Sequence, residues 1–145
     1  MSRGRYRPGH VVAALLGLAL LATAGCGPRN GGRVPVAGTV TLDGQPVDGG
    51  VIVFLPDGDG KLPKAGGHIE QGKYALPARS GPAPGKYRVE IRWEKKTGKQ
   101  VTRGDLAEPY DETRQVVPAR YNARSELTVD VGPGSDTFDF ALTTK

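Results

Sequence analysis

Histidine, cysteine and aromatic residues are scarce in this chain: two His, one Cys and 6% aromatics in 145 residues. One cysteine excludes an internal disulfide and a cysteine-based zinc site. Two histidines argue against imidazole ligand sets and against acid–base chemistry built on His. A serine triad needs a base His, and no Gly-x-Ser-x-Gly elbow occurs to present a nucleophile. No apolar run reaches the roughly 20 residues that a membrane-spanning helix needs. What is plentiful is turn-forming residue. Glycine (22) and proline (12) make up nearly a quarter of the chain, far above average usage. That suits short strands and tight turns and argues against a helix bundle. There is no glycine period, and hydrophobic residues still reach 37%, so a collagen-like or low-complexity chain is excluded. The length fits one domain.

The first 25 residues read as a targeting segment. Arg3, Arg5 and Arg7 precede an uncharged apolar run over residues 11–21, the length of a signal-peptide h-region. Small residues follow, ending Gly25-Cys26. The stretch resembles a bacterial lipoprotein signal, in which the Cys becomes lipidated and N-terminal. Ala22-Thr23-Ala24 also fits ordinary secretory cleavage, and the lone cysteine weighs between the two. A free thiol in an oxidising compartment is a liability, whereas acylation of Cys26 would consume it. The resemblance implies an exported chain anchored to a membrane and facing the periplasm or the cell exterior. More than one acyl chain gives stable anchoring. Residues 26–33 are read as the acylated Cys and a flexible tether. Fully extended, the six residues 27–32 reach only about 20 Å, so the domain over residues 34–145 would sit close to the lipid. Removing the leader takes away three basic residues and no acidic one, so the formal charge drops from +5 to +2. Nucleic-acid binding needs a clustered basic face, and none of that strength is present.

The rest alternates between strands and turns. Period-two patterns run through residues 36–42, 87–93, 127–131 and 138–142. Residues 51–55, Val-Ile-Val-Phe-Leu, are continuously apolar and predict a strand covered on both sides. Asp43-Gly44 is a tight-turn signal. Residues 67–70 and 73–76 flank Gln71-Gly72 and predict a hairpin. These seven strands, without a convincing helix, predict an all-β, antiparallel sandwich. Trp93 is read as its central anchor, with an indole N–H that needs a partner when buried. In the strand of Tyr87, Val89 and Ile91, the alternate residues Arg88, Glu90, Arg92 and Glu94 are read as solvent-facing.

Val36-x-Gly38-x-Val40, then Gly44-x-Pro46-Val47-x-Gly49, resembles the opening of a carboxypeptidase regulatory-like domain. Gly72-Lys73-Tyr74-x-Leu76 and Pro84-Gly85-Lys86-Tyr87-x-Val89 extend the likeness. Together with the leader and Pro118-Ala119-Arg120-Tyr121-Asn122, the chain is similar to small bacterial lipoproteins of this kind. The resemblance implies a single seven-stranded Greek-key sandwich of the transthyretin-like group, and an accessory module without a hydrolytic centre. Related enzymes need what this chain does not offer. Hydroxyisourate hydrolases use more than one His with a Tyr-Arg-Gly-Ser-type ending, and the chain ends Leu142-Thr143-Thr144-Lys145. Iron dioxygenases on a related sandwich ligate iron with two Tyr and two His; after leader removal only His68 is left. His68 is read as a solvent-facing strand residue. Asp57-Gly58-Asp59-Gly60 lacks the further acids of a calcium loop and is read as a solvated turn. No catalytic residue, metal site or cofactor is expected.

Residues 95–117 read as a long loop, and long loops in compact domains are often functional. Its charge is polarised: Lys95, Lys96, Lys99 and Arg103 come first, then Asp105, Glu108, Asp111 and Glu112. A self-neutralising surface loop is the plain reading. The sharper one is a partner-contacting loop built from Lys95, Lys96, Lys99, Arg103 and Tyr110, with residues 114–117 adding an edge strand. Tyr121 is read as a plug at the sandwich end. The expected partners are the lipid bilayer through acylated Cys26, and another envelope protein. The alternative is a cell-wall glycan, bound by a carbohydrate-binding module with exposed aromatic platforms.

Overall fold

The computed structural model describes residues 31–58, 61–104, 108–133 and 136–145. The leader, Cys26 and the tether up to residue 30 lie outside the described residues, as do Asp59 and Asp105. Ten strands are present among the described residues: β1 (Val36–Leu42), β2 (Gln45–Pro46), β3 (Gly50–Pro56), β4 (Ala65–Ile69), β5 (Lys73–Leu76), β6 (Gly85–Arg92), β7 (Glu94–Val101), β8 (Tyr110–Gln115), β9 (Thr128–Val131) and β10 (Phe140–Leu142). The helical content there is one 3₁₀ turn at Ala119–Tyr121. The seven strands expected from the sequence correspond to β1, β3, β4, β5, β6, β9 and β10, with boundaries moved by at most two residues.

Two four-stranded sheets face one another. In the first, β1 carries β10 on one side and both β2 and β5 on the other. The second runs β4-β3-β6-β9 and is antiparallel throughout. The expectation of antiparallel pairing fails at one place. β10 lies parallel to β1, with Val40 opposite Phe140 and Leu42 opposite Leu142. β1 already has an antiparallel neighbour from each hairpin on its other side, and the chain end fills its remaining edge along the same direction.

The hairpin expected at Gln71-Gly72 is half right. Glu70 and Lys73 exchange both backbone hydrogen bonds at 2.9 Å, and Gln71 and Gly72 both have positive φ, 50° and 75°. That is a type I′ turn, whose second position glycine occupies without a Cβ penalty. Beyond that single pair the strands separate: β4 joins β3 and β5 joins β1. The turn is therefore a corner between the two sheets.

The core sits where the inward faces meet. Ile52, Phe54, Tyr87, Val89 and Ile91 of the second sheet are fully buried, as are Val36 and Val40 of the first. The Phe54 ring bridges the layers, with centroids 6.2 Å from Tyr74, 6.3 Å from Tyr87 and 6.4 Å from Phe138. Such tilted and edge-on pairs add to plain burial. The Tyr74 hydroxyl donates to the Phe138 carbonyl at 2.8 Å, and burial pushes its ionisation well above the ordinary phenol range, so it remains a neutral donor. The Tyr87 hydroxyl accepts from the Ala83 N–H at 3.1 Å and lies 3.3 Å from the Pro63 carbonyl.

Three expectations about burial need correction. β3 is fully covered only on the face of Ile52 and Phe54; Val51, Val53 and Leu55 are half-buried. Trp93 is buried, but the centre belongs to Phe54 and Tyr87; Trp93 lies just past the end of β6 and carries Lys95 Nζ 3.9 Å above its ring. Glu90, expected in solvent, is only 8% exposed. Arg92 donates to it at 3.0 Å and Arg88 lies 3.6 Å away, so two flanking arginines compensate and cover the carboxylate.

The chain end is clasped to β1 by carboxylates. Asp139 accepts from the Thr39 N–H at 2.7 Å and the Thr39 hydroxyl at 2.8 Å. Asp43 accepts from the Thr144 N–H at 2.9 Å and the Thr144 hydroxyl at 2.7 Å. These hydrogen bonds hold both carboxyls below their ordinary range. A depressed folded pKa gives stability that is present above the unfolded value, about 3.9 for Asp, and is lost as pH falls through the folded value. Thermal denaturation should therefore show stability falling as the pH drops below about 4. Asp43→Asn/Asp139→Asn should be less stable than the parent at neutral pH and show a smaller loss across that acid window; an unchanged acid slope would refute the clasp.

Candidate functional site

The segment expected as a loop at residues 95–117 is a two-stranded antiparallel ribbon, β7 with β8. Both strands are polar on both faces, so no hydrophobic alternation marks them in the sequence. Their cross-strand pairing marks them instead. Lys95 lies opposite Arg114, Lys96 opposite Thr113, Gln100 opposite Asp111 and Val101 opposite Tyr110, with a register shift between Lys96 and Gln100. The ribbon is stapled to the sandwich at its base. The Gln115 side-chain oxygen accepts from Trp93 N–H at 2.9 Å and Val117 N–H at 3.0 Å.

Opposed residues share a face and successive ones alternate. One face carries Lys95, Thr97, Lys99 and Val101 from β7 with Tyr110, Glu112 and Arg114 from β8. The other carries Glu94, Lys96, Gln100, Asp111, Thr113 and Gln115. The register thus brings three of the five candidate residues, Lys95, Lys99 and Tyr110, to one face. Lys96 is on the opposite face, bound to Asp111 at 2.5 Å. Their hydrogen bond and mutual charge raise the Lys96 pKa and lower that of Asp111. Arg103 is exposed in the connection between the strands.

Sequence reading missed Arg114 as a candidate, because cross-strand register cannot be read from spacing within one strand. Among the described residues the Lys99 and Arg114 side chains have no hydrogen-bonding or ion-pair partner. Lys95 sits on the Trp93 ring. Glu112, the one carboxylate on this face, accepts from the Thr97 hydroxyl at 2.6 Å. Lys95, Thr97, Lys99, Glu112, Arg114 and Val116 line a shallow groove of about 340 Å³, which Lys96 also borders although its ammonium is bound to Asp111. Tyr110 is 48% exposed, the most exposed large hydrophobic side chain among the described residues. The face offers cations and an aromatic ring. Such groups are chemically suited to contact with an anionic or polar surface.

A larger cleft of about 960 Å³ opens between the edges of β4 and β5. Gly66 and Gly67 leave its wall bare, and His68, Glu70, Lys73 and Asp139 line it. Asp139 is already committed to Thr39. His68 is exposed on β4, in line with the reading of a solvent-facing strand residue. Among the described residues, no three His, Cys, Asp or Glu side chains are grouped closely enough to hold a metal ion, and no helix is long and apolar enough to cross a membrane.

The chain enters the domain at the end opposite to the ribbon. Val34 N–H donates to the Pro82 carbonyl at 2.9 Å and Arg33 to the Gly81 carbonyl at 2.7 Å. These contacts lie just ahead of the start of β6. The ribbon begins after its other end, eight residues on, or about 26 Å along a strand.

No family model matches the chain, and no curated protein matches it. Among solved structures it is similar to a 9R-lipoxygenase from Cyanothece PCC8801, at 15% identity over 79% of this chain, with a TM-score of 0.34. The match spans 17% of the length of that lipoxygenase and is too distant to bear on fold or activity.

Proposed function

We propose that this protein is exported, acylated on Cys26 and held at a bacterial membrane, facing the periplasm or the cell exterior. There it acts as a non-catalytic protein-interaction module, and its contact surface is the β7–β8 ribbon. The observation that carries this reading is the ribbon itself. It lies outside both sheets of the sandwich, none of its strand residues is buried, and among the described residues it holds two cations without a partner together with an exposed tyrosine. Isolated two-stranded ribbons are marginal, and a fold that keeps one for packing alone would bury a face of it. The polarity of the domain supports the same reading. A tether entering at one end leaves the ribbon at the end remote from the bilayer, where a partner in the envelope can reach it. The sequence motifs at residues 36–49, 72–76 and 84–89 support the reading of its scaffold as a Greek-key sandwich of the transthyretin-like, carboxypeptidase regulatory-like kind. Glycan binding is the weaker reading, since Trp93, Tyr74 and Tyr87 are buried and a stacking platform would rest on Tyr110.

A photo-crosslinker at Tyr110 in cells tests this, with Cys26→Ala as the unanchored control. The expected result is one discrete protein adduct, reduced at least several-fold in the control, and a mature mass that carries acyl chains on Cys26. An acylated, folded protein that gives no adduct would overturn the interaction surface. An unmodified Cys26 would overturn the anchor.

A further inference from the structure

The two edges of the ribbon differ. β7 is protected: it carries Lys95, Lys96 and Lys99 and is interrupted by the register shift between Lys96 and Gln100. Lysines and bulges are the devices that keep edge strands from pairing. β8 has neither. Residues 110–115 form an uninterrupted strand that pairs with β7 on one side, and among the described residues nothing pairs with its other side. An open, regular edge of this kind is a template for strand addition.

The side chains of β8 specify what can add to it. Two copies of one strand paired antiparallel about a two-fold axis must oppose residues of the same parity, because only then do backbone groups and faces match. That leaves few registers. Centring on Asp111, Glu112 or Arg114 sets a like charge directly against itself, which destabilises a sheet pair. Centring on Thr113 sets Glu112 against the second copy's Arg114 and Arg114 against its Glu112. It also sets Asp111 against Gln115 and Thr113 against Thr113. Opposite-charge and Thr–Thr pairs stabilise cross-strand contacts. On β8, Arg114 has no side-chain partner among the described residues, and the Glu112 carboxylate uses one oxygen on Thr97, leaving the other to accept.

We propose that β8 pairs antiparallel with β8 of a second copy of this chain about Thr113, giving a four-stranded sheet β7-β8-β8-β7 held by two reciprocal Glu112–Arg114 pairs. The dimer is isologous and closed, and it consumes the edge that β8 would otherwise expose. Both copies then present Lys95 and Lys99 on one side of the new sheet. The pairing does not depend on the anchor or on a heterologous partner.

Directly opposed residues in such a pair have Cα atoms about 4.5–5.5 Å apart, within reach of a disulfide. Thr113→Cys in the full chain should therefore give an oxidised dimer. The parent chain, with Cys26 as its sole thiol, sets the background, and Lys64→Cys, exposed in the loop before β4, is the placement control. Glu112→Arg and Arg114→Glu, each added to Thr113→Cys, bring like charges face to face and should lower the dimer yield about tenfold. Combining both reversals restores opposite charges and should restore the yield. A Thr113→Cys yield no higher than that of Lys64→Cys would overturn the pairing. So would a double reversal that stays as low as the single ones, because a heterologous partner would not be rescued by the swap.

Discussion

Replacing Phe54 with alanine should lower the stability of the protein by about 3–5 kcal/mol, the range seen when a large aromatic is removed from a core that cannot collapse around the gap. Phe54 is fully buried, and three rings from both sheets converge on it within 6.4 Å. Tyr74 and Tyr87 cannot swing into the space cheaply, since each hydroxyl is hydrogen-bonded to backbone. The cavity therefore persists and adds to the lost transfer energy. For a domain of this size the change corresponds to a fall in Tm of roughly 15 °C, measurable by calorimetry. A loss under about 1 kcal/mol would mean that Phe54 is not the joint between the layers.

Gly38→Ala should cost about 3 kcal/mol or more, beyond the usual range for overpacking. Gly38 lies in the middle of β1, opposite Tyr74 of β5. A methyl group built there would overlap the carbonyl of Phe138 and approach the Tyr74 ring at 3.1 Å. The obstruction is main chain, so no rotamer change relieves it. The segment leading into β10 would have to leave β1. That breaks the Phe138 N–H to Ala37 carbonyl bond at 2.9 Å and strains the Thr39–Asp139 contact at 2.7 Å. Hydrogen exchange gives a signature that generic destabilisation lacks: protection should fall first at β10 and the adjoining half of β1, ahead of the β3–β6 pair. Uniform loss of protection would refute the close approach.

Both effects would also reach the β7–β8 ribbon, because the sandwich supports it. The ribbon is held through Gln115 and Trp93 at the end of β6, and β6 is fixed by β3, whose Phe54 joins the layers. A ribbon with few buried side chains has little stability of its own. Its orientation is inherited from the core.

The amino-acid sequence by itself determined the all-β class, the seven strands that build the two sheets, and the turns at Asp43-Gly44 and Gln71-Gly72. In β1, β6, β9 and β10 one-sided burial imposes a period of two that survives in the sequence; β3 shows as an apolar run, and β4 and β5 through the turn between them. The positive φ at the turns leaves an equally local mark. The tertiary structure alone decided that β10 runs parallel to β1, that the Gln71-Gly72 corner splits its strands between sheets, that Glu90 is buried between two arginines, and that residues 95–117 contain a ribbon. Sheet membership depends on contacts far apart in the chain, and a strand solvated on both faces has no hydrophobic period to betray it. The candidate site was therefore legible only as a cluster of charges. Lys95, Lys99 and Tyr110 were found by composition, but cross-strand register separated Lys96 from them, added Arg114, and left β8 with the open edge.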